Sequence, residues 1–156
     1  MDEAAVAALR DLYSDLEVDG RVLDLGGASR DHFEFAPDAL ISFAGDAAAL
    51  PYADGEFDDV VLHGPVEQRA FAEAARVVKP GGHFVCTFIG GTDDAGRVKL
   101  LRKWFAAEPG FGGAESDLRT SLSGAGDRLW AVWAPKLRSD DRGWGGGDVP
   151  PHFLVS

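Results

Sequence analysis

Arg21-Val22-Leu23-Asp24-Leu25-Gly26-Gly27 is the stretch whose reading decides the fold. Three aliphatic residues around one carboxylate read as a short buried strand, and the paired glycines end it by admitting backbone angles closed to other residues. Toward the N-terminus, Val6, Leu9, Leu12 and Leu16 recur at helical spacing with Asp and Arg between them. Residues 3–18 therefore read as an amphipathic helix, stopped at Asp19-Gly20. Toward the C-terminus, Ser29 can cap a brief helix through Phe35, which Ala36-Pro37-Asp38 breaks. Residues 39–43, 59–63 and 83–89 read as further strands, with helices over 66–78 and about 95–107. Lys79-Pro80-Gly81-Gly82 ends the first of these helices, because proline forbids continuation and glycine permits the reversal. Residues 117–122 and 128–134 alternate at period two and predict an antiparallel hairpin.

Strands alternating with helices predict an α/β fold: a mostly parallel sheet with helices on both faces and a C-terminal antiparallel hairpin. In such sheets ligands bind beyond the carboxyl ends of the strands, at the point where the strand order reverses. That rule places Gly26 to Ser29, Asp46 and His63 along one rim. A single domain over residues 1–135 accounts for the pattern, and the Gly/Pro-rich residues 136–156 read as a mobile tail.

Composition narrows the function. With 15 basic and 26 acidic residues the net charge is −11, so the surface repels phosphate backbones and direct nucleic-acid binding is not expected. Eighteen of the acids are Asp and only four of the bases are Lys, a bias that suits a high-salt cytoplasm and that GC-rich codon usage explains equally well. No apolar run reaches the length of a membrane helix, and the acidic start Met1-Asp2-Glu3 is unlike a secretory signal, so a cytoplasmic location is expected. The lone cysteine, Cys86, sits inside the apolar run 84–89, where packing is its expected role; it leaves no disulfide and no multi-cysteine metal site. Trp104, Trp130 and Trp133 are expected in the core, and Trp144 in the tail.

Three segments resemble the class I S-adenosylmethionine-dependent methyltransferases, in the branch often called type 11. They are Val22 to Ala28, Gly45-Asp46-Ala47-Ala48-Ala49-Leu50-Pro51-Tyr52 continuing through Asp54-Gly55-Glu56-Phe57-Asp58, and Glu73-Ala74-Ala75-Arg76-Val77-Val78-Lys79-Pro80-Gly81-Gly82. The resemblance covers residues 21–135 and implies a Rossmann-like fold, S-adenosylmethionine as cofactor and a small or medium molecule as methyl acceptor. It also implies cofactor contacts from Asp24, Gly26, Gly27, Ala28, Asp46, Ala47 and His63, with His63 the one weak catalytic candidate and no metal. Methyl transfer needs alignment more than a catalytic dyad, so the lack of a triad is no objection.

Two departures stand out. The family's Gly-x-Gly-x-Gly becomes Gly26, Ala28 and Arg30, and the Gly-x-Gly-x-x-Gly that a dinucleotide-binding dehydrogenase would need is not there. Only residues 26–38 separate the first strand from the second, room for one crossover where the family has two, so one strand of the usual seven is expected to be missing. The strand ending at Phe43 should then lie beside the first. Asp46 would move toward the position of the family's ribose carboxylate, or would anchor its own loop, with Glu34 and Asp38 as other candidates for the ribose acid. The loss of a strand also leaves an edge that a second copy could cover as a homodimer. The alternative to an enzyme is a degenerate methyltransferase-like domain that serves as a binding or assembly module.

Overall fold

The computed structural model describes residues 2–27, 30–118 and 128–138. Helix α1 spans Glu3–Asp15, with Asp2 at its N-cap accepting the Ala5 N–H. Strand β1 follows at Arg21–Leu25, then a single 3-10 turn at Arg30–His32, and β2 at Ala39–Ser42. The remaining elements are β3 (Asp59–His63), α2 (Gln68–Val77), β4 (His83–Ile89), α3 (Asp94–Ala107), β5 (Glu115–Leu118) and β6 (Leu129–Pro135). The expected strands and longer helices are present, with α1 and α2 a few residues shorter at their ends; the brief helix expected through Phe35 is only a three-residue 3-10 turn, and β5 starts at Glu115, two residues before the expected strand. Ser29, residues 119–127 of the hairpin, and residues 139–156 of the tail with Trp144 lie outside the described residues.

The six strands form one sheet in the order β2-β1-β3-β4-β6-β5. β2, β1, β3 and β4 run parallel; β6 pairs antiparallel with β4, and β5 antiparallel with β6. β2 pairs directly with β1, Leu23 facing Ile41, as the shortened crossover requires. The central strands are buried on both faces, while β5 and the end of β2 are exposed, as edge strands are.

Residue parity along the strands divides the core in two. Leu23, Val60, Leu62, Phe84 and Cys86 pack with Phe71 of α2 and Leu101 and Phe105 of α3. Val22, Val61, Val85 and Ala131 pack on the other face with Leu9, Leu12 and Tyr13 of α1 and with Phe33 after the 3-10 turn. Helices therefore cover both faces. Phe71 gathers Phe84, Phe105 and Trp104 with ring centroids 4.8–5.5 Å apart, so burial of large rings supplies much of the drive to close the α2/α3 layer. Cys86 and Trp133 are core residues, and Trp104 and Trp130 pack partly buried against the α2/α3 layer.

Lys136 still belongs to the domain body. Its N–H donates to Gly82 O at 2.8 Å, and its ammonium donates to the carbonyls of Ala75 and Val78 at 2.9 and 2.8 Å. The charge thus sits on carbonyls at the C-terminal end of α2, where the helix dipole favours it.

Candidate functional site

From β1 the chain moves outward to β2, then returns past β1 to β3. The strand order reverses between β1 and β3, and at their carboxyl ends lies a crevice of about 330 Å³. Leu25 and Gly26 after β1, the loop 45–48 after β2, His63 at the end of β3 and Glu67 before α2 bound it.

Gly26 turns the chain at φ +114°, and a Cβ there would run into the His63 backbone, so only glycine lets β1's loop pass β3 so closely. Gly27 follows at φ +86° with open space where its Cβ would stand, leaving bare backbone at the rim. Ala28 lies outside the described residues. Asp46 borders the crevice and is exposed; its Oδ1 accepts the Ala48 N–H at 2.9 Å, an Asx turn that shapes its own loop. Ala47 and Ala48 line the floor beside it.

The loop is clamped to α2. Glu73 Oε1 accepts the Leu50 N–H at 2.9 Å, while Arg76 donates to the carbonyls of Tyr52 and Leu50 and pairs with Asp54 and Glu73. The bidentate contacts hold the Glu73 carboxyl below the usual range, chiefly through the Arg76 guanidinium. At the other end of β3, Asp58 accepts the Arg21 N–H at 2.8 Å and pairs with Lys79, and Glu56 pairs with Arg21. Asp54, Glu56, Asp58, Glu73 and Arg76, five of the charged residues that carry the sequence resemblance, are therefore fasteners of loop to sheet and helix.

Asp24 lies below the rim, not in it. It is 1% exposed, and Ser42 Oγ donates to its Oδ2 at 3.0 Å. Strand parity puts Asp24, Ser42, His63 and Thr87 on the α1 face of the sheet. There the His63 ring nitrogen Nδ1 is 2.8 Å from Thr87 Oγ1. Burial lowers the His63 pKa, helped by His32 and opposed by Asp24, so the ring is neutral at pH 7. β2 ends in Ser42, so no acid stands at its tip. Asp38 precedes β2 and Glu34 borders a separate cavity with Asp19, both at the opposite ends of the strands from the crevice. Glu67 escaped the sequence reading; its signal is an acid immediately before a helix whose start follows a rim strand.

The mostly parallel sheet with helices on both faces and antiparallel C-terminal strands is a Rossmann-like methyltransferase fold, with six strands where the resemblance implies seven. Residues 17–86 match the family model of a methyltransferase domain, type 11. The chain is 43% identical over 62 residues to the ubiquinone/menaquinone biosynthesis C-methyltransferase UbiE of Methylobacterium nodulans, a match covering 36% of this chain and only 25% of that protein. Among solved structures, the 1,6-didemethyltoxoflavin-N1-methyltransferase of Burkholderia thailandensis, with its substrate and S-adenosylhomocysteine bound, superposes with a TM-score of 0.58 at 17% identity, covering 88% of this chain and 80% of that one. The cyclase SpnF superposes with a TM-score of 0.54 at 19% identity, covering 83% and 80%.

Proposed function

We propose that this chain is an S-adenosylmethionine-dependent methyltransferase acting on a small-molecule acceptor. The observation that carries the reading is the crevice at the β1/β3 reversal, walled by Gly26 and the Asp46 loop in a sheet of methyltransferase order. The residues present fit the cofactor. Bare backbone at Gly26 and Gly27 admits close approach, Asp46 can accept from ribose hydroxyls, and Asp46 and Glu67 make the rim anionic, which suits an ammonium and a sulfonium.

Gly26, Gly27 and Asp46 would hold the donor, which would supply an electrophilic methyl for a nucleophilic atom of the acceptor. The chain's own residues align and exclude water. The Arg76 clamp keeps the Asp46 loop against α2, and the Gly26 turn holds β1's loop against His63. In the tautomer whose Nδ1–H donates to Thr87 Oγ1, Nε2 is the His63 nitrogen left to accept a proton from an acceptor.

Calorimetric titration with S-adenosylhomocysteine, with NAD as control, in low and in molar salt, tests this. Micromolar binding of the first alone, weakened about tenfold or more in Asp46→Ala, is the expected result. A second reading, a binding module that has lost catalysis, draws on the missing strand and on Ala28 and Arg30 in place of the family's glycines. Absence of heat from folded protein in both salts would establish it instead.

A further inference from the structure

Beside the donor crevice lies a second cavity of about 300 Å³, between the loop 64–66, the end of β4 and α3. It shares Pro65 and Val66 with the crevice, so the two cavities adjoin at that short segment. Its lining is apolar, from Phe88, Leu101, Trp104 and the 45%-exposed Leu100, apart from one cation, Arg97.

The Arg97 guanidinium lies over the Phe88 ring, 3.9 Å from its centroid. It has no hydrogen-bond or ion-pair partner among the described residues. Asp94 feels its charge but is already engaged, accepting from Gly91 N at 2.6 Å and Trp130 Nε1 at 3.0 Å and pairing with Arg128 at 3.3 Å. In a chain of net charge −11, a half-buried guanidinium without a carboxylate is conspicuous. A guanidinium held over a ring keeps its N–H donors, a planar fork that receives a carboxylate with two parallel hydrogen bonds. An apolar wall that includes Trp104, with one planar cation beside it, is complementary to a flat apolar ring carrying an anion.

We propose that this cavity binds the methyl acceptor and that the acceptor is a small aromatic carboxylate, its ring against Leu100 and Trp104 and its anion on Arg97. The assignment of the cavity as the acceptor site rests on the methyltransferase reading; the preference for an aromatic anion does not. The test uses the whole chain with naphthalene-2-carboxylate and its neutral analogue naphthalene-2-methanol as probes, titrated by calorimetry alongside S-adenosylhomocysteine. The acid should bind about tenfold or more tighter than the alcohol. Arg97→Met should remove that preference while leaving S-adenosylhomocysteine binding unchanged, which also reports an intact fold, and Arg97→Lys should retain part of it. Equal binding of the two probes, binding of neither, or a preference that survives Arg97→Met would overturn the proposal. If the acid preference holds while S-adenosylhomocysteine does not bind, the anion pocket stands and the methyltransferase reading falls. The reverse result removes the pocket alone.

Discussion

Glu73 Oε1 accepts the Leu50 N–H at 2.9 Å, fastening the loop that walls the crevice to the helix behind it. Arg76, one turn further along α2, satisfies the Leu50 and Tyr52 carbonyls and the Glu73 and Asp54 carboxylates at once. A buried or half-buried carbonyl deprived of its donor costs more than a bond between freely solvated groups.

Arg76→Ala should therefore lower unfolding free energy by about 1–3 kcal/mol in urea titration. Limited proteolysis should find new cleavage within residues 45–56 before global unfolding. Undiminished protection of that loop would show that the clamp does not position it.

Gly26→Ala places a side chain at φ +114° against the His63 backbone. The strained backbone alone costs about 1–3 kcal/mol, and relief requires the β1 loop to move off β3. Thermal denaturation should show the loss, and S-adenosylhomocysteine affinity should fall by at least tenfold. Wild-type affinity in this variant would argue that the rim geometry is not used for binding.

His63 and His32 both have pKa values lowered from 6.5, in each case chiefly by burial. The unfolded chain takes up protons first, so their contribution is complete above about pH 6.5 and declines as pH falls toward the folded-state values. Urea midpoints measured from pH 8 to 5 should drop through that window. His63→Gln should flatten the slope, and an unaltered slope would assign the acid sensitivity elsewhere.

Cys86 is 1% exposed, and burial pushes its thiol pKa up. A buried protonated thiol is a poor nucleophile. A disulfide reagent such as dithiobis-nitrobenzoate should label it only after addition of denaturant. Rapid stoichiometric labelling of native protein would contradict the packing.

The sheet was legible in the sequence because its signals are local. Valine and leucine runs bounded by Gly26-Gly27, Pro37 and Lys79-Pro80-Gly81-Gly82 determine where strands and helices start and stop, and chain length alone determines that 26–38 holds a single crossover. The candidate site was half legible. Gly26, Asp46, Ala47 and His63 do come together, since strand ends in a parallel sheet must share a rim. What the charged residues do was decided only by the tertiary structure. Asp24 is turned onto the α1 face by strand parity, one residue from the crevice-lining Leu25, and Glu73 and Arg76 grip a loop more than twenty residues away. Arg97 bears no mark in the sequence beyond its helical spacing from Leu101 and Trp104; its stacking on Phe88 exists because α3 packs against the end of β4. Local patterning specifies elements, whereas the partner of a long polar side chain depends on which elements the core brings within a few ångströms of it.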